Sequence, residues 1–265
     1  MALENLFKRR NTSVEFGFEI LTLLFVVAII AGWVDAIAGG GGLITIPILI
    51  LAGLSPVSAL ATNKLQGSVG TLTASLYFIR KKTVNLKQMR LAILATFIGS
   101  VFGSWLLLQI NTQHLIIMLP ILLICMGLYF LFSPNINDED RQEKIKVVSF
   151  ALFVTPFLGF YDGFFGPGTG SFMALAFVML LGYGLPKATA NAKILNFVSN
   201  ISSLSYFVIF GDVNWVAGFI MMFGQFIGAM LGARMILNNG STLIKPVVVA
   251  VCFFMSINLL FKAYG

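Results

Sequence analysis

The stretch VDAIAGGGGL, residues 34–43, places a carboxylate and four consecutive glycines inside an otherwise apolar region. Glycine interrupts regular structure because it lacks the side chain that restricts the backbone. A charged side chain such as Asp35 is costly in apolar surroundings unless it has a partner. Within a bilayer, irregular backbone is tolerated only where it is buried in protein or lines a cavity. The stretch therefore predicts a broken helix beside a cavity in a membrane protein.

The composition places most of the chain in a lipid bilayer. Of the 265 residues, 58% are hydrophobic and 10% are charged, and the mean hydropathy is +0.94. So few polar residues would not cover a water-facing surface. The net charge of +7 fits basic loops on the cytoplasmic side, and no basic stretch resembles a nucleic-acid site. Two cysteines in apolar runs and one histidine predict no metal site, and we expect no cofactor and no enzymatic activity.

The apolar segments predict an all-α integral membrane fold of about ten helical elements. They are continuous, whereas barrel strands would alternate over ~10 residues. Segments 43–54 and 171–182 are short: each would rise ~18 Å as a helix, against ~30 Å of hydrocarbon core. We interpret them as half-helices that follow glycine-rich breaks near the bilayer midplane. The other segments are 20–38, 57–79, 91–110, 115–132, 147–165, 186–210, 213–237 and 243–262.

The chain divides into two similar halves. After an N-terminal tail, 1–18, we expect membrane repeat 1 at 19–132, a polar linker at 133–146 and membrane repeat 2 at 147–265.

Sequence matches between the halves indicate a duplication. GWVDAIAGGGG (32–42) is answered 127 residues later by GFYDGFFGPGT (159–169), and IGSVFG (98–103) is answered 129 residues later by IGAMLG (227–232).

Loop charges favour two inverted five-element repeats. The loop RKKTVNLKQMR (80–90) carries five basic residues, whereas its counterpart GDVN (211–214) carries none. Positive charge stays on the cytoplasmic side, so equivalent loops are expected on opposite sides. The basic residues at 8–10 would then lie outside, which disagrees with this arrangement, and a parallel arrangement remains open.

Two breaks at matching positions are typical of a transporter's binding site. A helix that starts after each break directs free N–H groups and its positive dipole end at the break, which suits a small anion. Close helix packing is the alternative, because glycine is common in membrane helices. The candidate backbone donors are Gly39, Gly40, Gly41, Gly42, Gly166, Gly168, Thr169 and Gly170.

Lys64 and Lys193 form a second duplicated feature, eight and seven residues after the proline that opens each segment. A lysine this deep costs about 2.5–3.5 kcal/mol on insertion scales, and Asp35 and Asp162 are natural counter-charges. We expect the lysines to face a cavity and bind a small anion, with purely structural ion pairs as the alternative. Asn200, seven residues after Lys193, would share its face. Candidate orienting neighbours are Asn63, Gln66, Asn191 and Asn196.

The aspartates are also candidates for proton coupling. An anion that binds a lysine would release its aspartate, and a buried carboxylate with a raised pKa can take up a proton.

The motifs GWVDAIAGGGGLITIP (32–47), ALATNKLQ (59–66) and GFYDGFFGPGTGSF (159–172) with KATANAK (187–193) resemble the TauE/SafE family of sulfite-exporter-like membrane proteins, and closely its YfcA-like branch. The resemblance runs through nearly all of 20–262. It implies a multi-pass permease of the bacterial inner membrane for small sulfur oxyanions, such as sulfite, or organosulfonates. Pro167 and Thr169 replace glycines in the second break, so the two half-sites should differ.

We therefore expect a secondary transporter that works by alternating access between two bundles. An anion-selective channel of the same fold is the alternative, and an oligomer is open.

Overall fold

The computed structural model describes residues 16–111, 113–115, 117–118, 120–121, 124–125, 128 and 139–239, without the side chains of 236–239. The predicted all-α fold is confirmed for these residues, which contain no strand. The predicted tail and the segments 115–132 and 243–262 lie wholly or largely outside them. The helices are α1 (Phe18–Ala38), α2 (Gly41–Leu51), α3 (Pro56–Arg80), α4 (Leu86–Gln109), α5 (Val147–Phe153), α6 (Thr155–Phe164), α7 (Thr169–Leu181), α8 (Leu185–Phe210) and α9 (Trp215–Asn239).

Five stretches of the described chain are long and apolar enough to cross a membrane: α1, α4, the α5–α6 unit, α8 and the first 21 residues of α9. The short helices α2 and α7 have 11 and 13 residues. Both follow a break, as their lengths predicted. The protein is therefore embedded in a membrane, and the short helices α2 and α7 each adjoin a glycine-rich stretch.

The helix boundaries differ from the predicted segments in two places. The short helices begin at Gly41 and Thr169, two residues earlier than expected. In the first of these, the Gly41 N–H already has an acceptor in the Asp35 carboxylate. The segment predicted at 147–165 is two helices with a break at Val154. Pro156 has no N–H to continue the helical hydrogen bonds, so the first helix ends before it and α6 begins at Thr155, with Pro156 in its first turn.

Helices from different halves of the chain pack in parallel pairs. The glycines Gly99 and Gly103 of α4 lie directly on the α6 backbone, and those of α9 lie on α1. The absence of a Cβ lets these backbones approach closely. The order of contacts shows that each pair runs in one direction: Gly99 and Gly103 meet Pro156 and Phe160, and Gly224, Gly228 and Gly232 meet Phe25, Ile29 and Trp33.

The two central helices, α3 and α8, run in opposite directions. Gly67 of α3 abuts Asn200 of α8, whereas Phe78, later in α3, shares an apolar cluster with the earlier residue Ala190. Each central helix also runs parallel to one outer neighbour. Later residues of one helix meet later residues of its neighbour in both cases. For α3 and α9, Leu65 meets Gly218 and Gly70 meets Gln225. For α4 and α8, Ser100 bonds to Ser199, and Leu107 shares an apolar cluster with Phe207.

The two central helices, α3 and α8, bury many polar side chains, which is unusual for helices inside a membrane. A membrane helix needs partners for such groups, and intramembrane ionisable residues mark functional sites. The buried polar residues of α3 are Ser58, Thr62, Asn63, Lys64, Gln66, Ser68, Thr71 and Ser75; those of α8 are Thr189, Asn191, Lys193, Asn196, Ser199, Asn200, Ser202 and Ser203.

Candidate functional site

Two buried ion pairs cross between the halves of the chain. Lys64 Nζ lies 2.9 Å from Asp162 Oδ1, and Lys193 Nζ lies 2.9 Å from Asp35 Oδ2. The lysine side chains are 2% and 1% exposed. Each pair therefore links the central helix of one half to the helix that precedes the glycine-rich break of the other half.

Each carboxylate also accepts a second hydrogen bond. Asp35 Oδ1 accepts the N–H of Gly41, 3.2 Å away, at the first turn of α2. This position at a helix N-terminus is where a negative charge is stabilised. Asp162 Oδ2 accepts the hydroxyl of Ser199, and Lys64 also donates to the carbonyl oxygen of Asp162. The lysines and the α2 terminus are thus neutralised by the protein's own carboxylates.

The two breaks pack against each other. Gly39 has a left-handed backbone, with φ of 70°, and lies directly against Gly170. Ser171, at the start of α7, donates its hydroxyl to the carbonyl of Ala38. Because left-handed backbone favours glycine and a Cβ at Gly39 would collide with the second break, glycine is required there by both conformation and space.

A small polar cavity lies between the breaks and the central helices, and both halves of the chain line it. Its walls hold two carboxylates, several amides and glycine backbone. The lining residues are Asp35, Gly39, Gly41, Gly42, Asn63, Gly67, Thr71, Asp162, Gly166, Asn196, Asn200 and Gln225.

Hydrogen bonds fix how two cavity amides are turned. Asn63 Oδ1 accepts from Thr45 Oγ1 at 2.6 Å and from Gln66 Nε2 at 3.1 Å. Asn196 Oδ1 accepts from Asn200 Nδ2 at 2.9 Å. With their oxygens occupied, Asn63 and Asn196 present their NH₂ groups as donors beside the cavity.

Lys64 and Lys193 do not line the cavity, although the sequence predicted that they would face it. Each is paired with an aspartate that does line the cavity, and a buried ammonium needs such a partner. The other predicted site residues outside the lining are Gly40, Gln66, Gly168, Thr169, Gly170 and Asn191. Of these, Gly170 contacts Gly39, while the Asn191 amide donates to the Lys187 carbonyl of its own helix.

The sequence missed three lining residues: Gly67, Thr71 and Gln225. Thr71 could have been found, since it lies seven residues after Lys64 just as Asn200 lies seven after Lys193. Gln225 is the one amide in the apolar run from 215 to 235, but nothing in a single helix shows which way it points. Asn200, which was expected to share a helix face with Lys193, lines the cavity.

Comparisons with known proteins agree with these features. The family model described as "Sulfite exporter TauE/SafE" matches residues 24–259. A "Probable membrane transporter protein" of Haemophilus influenzae is 50% identical over 93% of this chain and 97% of its own length. "Probable membrane transporter protein YfcA" of Escherichia coli is 51% identical over 93% and 91%. "Probable membrane transporter protein YunE" of Bacillus subtilis is 24% identical over 80% and 86%. No solved structure matches the chain.

Proposed function

We propose that this chain, which belongs to the sulfite exporter TauE/SafE family of membrane transporters, carries a small anion through the cavity between its two halves by alternating access. The proposed substrate is a sulfur oxyanion, such as sulfite, or an organosulfonate. The proposed location is the bacterial inner membrane, which the chain would cross several times. The observation that carries the proposal is the pair of crossed Lys–Asp contacts beside a polar cavity. No catalytic role is proposed.

The aspartates mark the positions that a substrate anion would take. Asp35 accepts from both an ammonium and a helix N-terminus, the two kinds of group that bind oxyanions in proteins. An incoming anion would replace the carboxylate on the lysine, with Asn63, Asn196 and the glycine backbone as further donors. Until substrate arrives, the aspartate of each ion pair balances the charge of its lysine.

Replacement of a carboxylate would couple the anion to a proton. An aspartate that has lost its lysine would be an unpaired charge in a buried site, where the neutral form is favoured. Asp35 or Asp162 would then take up a proton as the anion binds. Anion and proton would cross together, and the site would remain close to electroneutral throughout.

The directions of the helices support two inverted repeats. The corresponding elements are α1 and α6, α3 and α8, and α4 and α9. α3 and α9 run in one direction, and α4 and α8 run in the other. α3 is therefore antiparallel to α8, and α4 is antiparallel to α9. α1 runs with α9 and α6 runs with α4, so the first pair is opposed as well. Rocking of one half against the other would expose the shared cavity to each side in turn.

The experiment is transport by the purified protein in liposomes. Vesicles are loaded with a pH-sensitive dye and given sulfite, thiosulfate, sulfate or small sulfonates. We expect at least one of these anions to accumulate along an imposed proton gradient and to carry protons with it. Sulfonates stay ionised near neutral pH, so a proton that crosses with them is carried by a group of the protein and not by the substrate.

Two results would contradict the proposal. Rates equal to those of empty liposomes for every anion would exclude anion transport. Rates far above those of a carrier, without accumulation along the gradient, would instead establish the anion channel.

A further inference from the structure

The Lys64–Asp162 pair is held by three hydrogen bonds. Lys64 Nζ donates to Asp162 Oδ1 and to the backbone carbonyl of the same residue, and the Ser199 hydroxyl donates to Asp162 Oδ2. Both side chains of the pair are 2% exposed. Hydrogen bonds to charged groups are the stronger kind, so an anion would displace this carboxylate only at the cost of several strong contacts.

The Asp35–Lys193 pair has fewer contacts and is more open. Among the described residues, Lys193 Nζ donates only to Asp35, and the other carboxylate oxygen accepts one backbone N–H, from Gly41 at 3.2 Å. The Asp35 side chain is 14% exposed. Three glycines of the first break line the cavity, against one residue of the second break. The cavity therefore adjoins the less firmly held pair.

One position in the sequence accounts for part of this difference. The 129-residue offset between the halves relates Gly70 to Ser199. Gly70 has no hydroxyl, and a Cβ there would lie 2.6 Å from Gln225 Oε1, so the site has no room for a serine. Among the described residues, the hydroxyl bond that holds Asp162 thus has no counterpart at Asp35.

We propose that the anion exchanges only with Asp35, and that Ser199 is a positioning residue that keeps Asp162 in place. This inference rests on the proposed function and assigns its proton to one carboxylate. The anion takes the place of Asp35 on Lys193, and one Asp35 oxygen binds a proton from the water on the open side. When the anion leaves, this O–H bond breaks, the proton returns to water, and Asp35 pairs with Lys193 again.

The second pair stays intact and ionised throughout this exchange. A Cβ on Gly166, a residue of the cavity wall, would lie 3.0 Å from Lys64 Nζ. Lys64 is therefore close enough to attract the anion without leaving Asp162.

The helices packed against α1 add few other charges near Asp35. The short helices α2 and α7 carry none. The charges that act on Asp35 from the described helices are those of Lys193, Lys64 and Asp162. The remaining charged residues of α1, α3, α8 and α9 lie toward helix ends and are exposed or paired with the linker: Glu19, Arg80, Lys187 and Arg234.

Infrared difference spectroscopy on the purified protein tests the site of the proton, because a protonated carboxyl group has its own C=O stretching band. Methanesulfonate, thiosulfate, sulfite and sulfate are added in turn, and calorimetry establishes which of them bind. We expect a bound anion to produce this band in the unmodified protein. The band should be absent from Asp35→Asn, in which the anion binds to Lys193 without a proton.

Labelling with dicyclohexylcarbodiimide, which reacts with protonated carboxyl groups, tests the role of Ser199. In the unmodified protein, the bound anion should raise labelling of Asp35 about tenfold but not that of Asp162, since loss of the ammonium favours the neutral carboxyl group. In Ser199→Ala the anion should raise labelling of Asp162 as well, by roughly tenfold. Ser205→Ala removes an exposed hydroxyl from the same helix and is the matched control, which should match the unmodified protein.

Each contrary outcome has a separate meaning. If an anion binds and the band persists in Asp35→Asn, or if labelling of the unmodified protein rises at Asp162, the inference is wrong and anion transport stands. Binding without a carboxyl band would exclude the proton and overturn the inference. No added labelling of Asp162 in Ser199→Ala, or an equal rise in Ser205→Ala, would overturn the role of Ser199.

Two further cases are decided by the same measurements. If Asp35→Asn does not fold, the labelling of the unmodified protein decides between Asp35 and Asp162 by itself. If none of the four anions binds the unmodified protein, the proposed function falls and the inference falls with it.

Discussion

Among single residues, the glycines of the first break differ in what they do. Gly39 is required by its left-handed backbone and by its contact with Gly170. Gly42 lies in the first turn of α2 and lines the cavity, and a Cβ there would be 3.4 Å from Asn63 Nδ2, an ordinary contact. One glycine therefore serves the fold, and the other leaves room in the cavity.

Alanine at these two positions should separate stability from binding. Gly39→Ala should lower the thermal midpoint by about 5–10 °C, since backbone strain and a displaced neighbour each cost about 1–3 kcal/mol. Gly42→Ala should keep the midpoint within about 2 °C but weaken anion binding about tenfold, because its methyl group enters the cavity. Thermal unfolding and calorimetry on the two variants check this. Unchanged anion affinity in Gly42→Ala would show that the first break serves packing alone, and an unchanged midpoint in Gly39→Ala would contradict its structural role.

The sequence singles out the charged residues of the candidate site, but not the partner of each one. Lys64, Lys193 and their aspartates stand out because charges are rare in apolar runs. That each lysine pairs across the halves was not predictable, since helical periodicity relates positions only within one helix. That the aspartates rather than the lysines line the cavity depends on the same tertiary packing.

At the level of helices, the linker holds the turn between α7 and α8. Asp140 Oδ1 accepts the Gly184 N–H at 2.7 Å, and Oδ2 accepts from Lys187 Nζ at 2.6 Å. The Arg141 N–H donates to the Gly182 carbonyl at 2.6 Å. The bond from Gly184 and the ammonium of Lys187 hold the pKa of Asp140 below its usual 3.8. The short helix α7 is thereby anchored to the polar linker between the two halves of the chain.

This anchor should depend on pH. A depressed pKa in the folded state means that the stabilisation is complete above the usual value and is lost as the pH falls through the folded value. Asp140→Asn should lower the thermal midpoint at pH 7 by about 1–3 °C, because an exposed pair contributes up to about 1 kcal/mol. The difference from the unmodified protein should shrink as the pH falls from 5 to 3. Glu143→Gln, which removes an exposed charge from the same linker, is the control. A constant difference across this range would exclude an ionic anchor.

Helices were predictable where apolar length decides them, and less so at their ends. The lengths of the apolar segments 43–54 and 171–182 predict short helices but do not predict the residue at which each helix begins. The starts at Gly41 and Thr169 depend on local hydrogen bonds that hydropathy does not reveal. The break at Val154 was hidden because Pro156 lies within a continuous apolar run.

In the whole molecule, the two halves interlock rather than stand side by side. The first apolar unit of each half packs on the last described helix of the other half: α1 packs on α9, and the α5–α6 unit packs on α4. The crossed ion pairs and the shared cavity follow from this exchange, so neither half holds a complete site. The all-α fold could be read from the sequence, which also predicts the duplication. The exchange could not, because it is a relation between distant helices. The domain boundaries at 18, 132 and 146 and the oligomeric state stay predictions.

The most direct test of the ion-paired anion site is calorimetric binding of the best-transported anion to Lys64→Met and Lys193→Met. Each is also combined with Asp162→Asn or Asp35→Asn, respectively, so that no unpaired carboxylate is left buried. The account predicts that the unmodified protein binds the anion. All four variants should lose measurable binding, while the two paired variants keep a near-normal thermal midpoint. Unchanged affinity in either paired variant would contradict it, since the anion would then bind without that ammonium group.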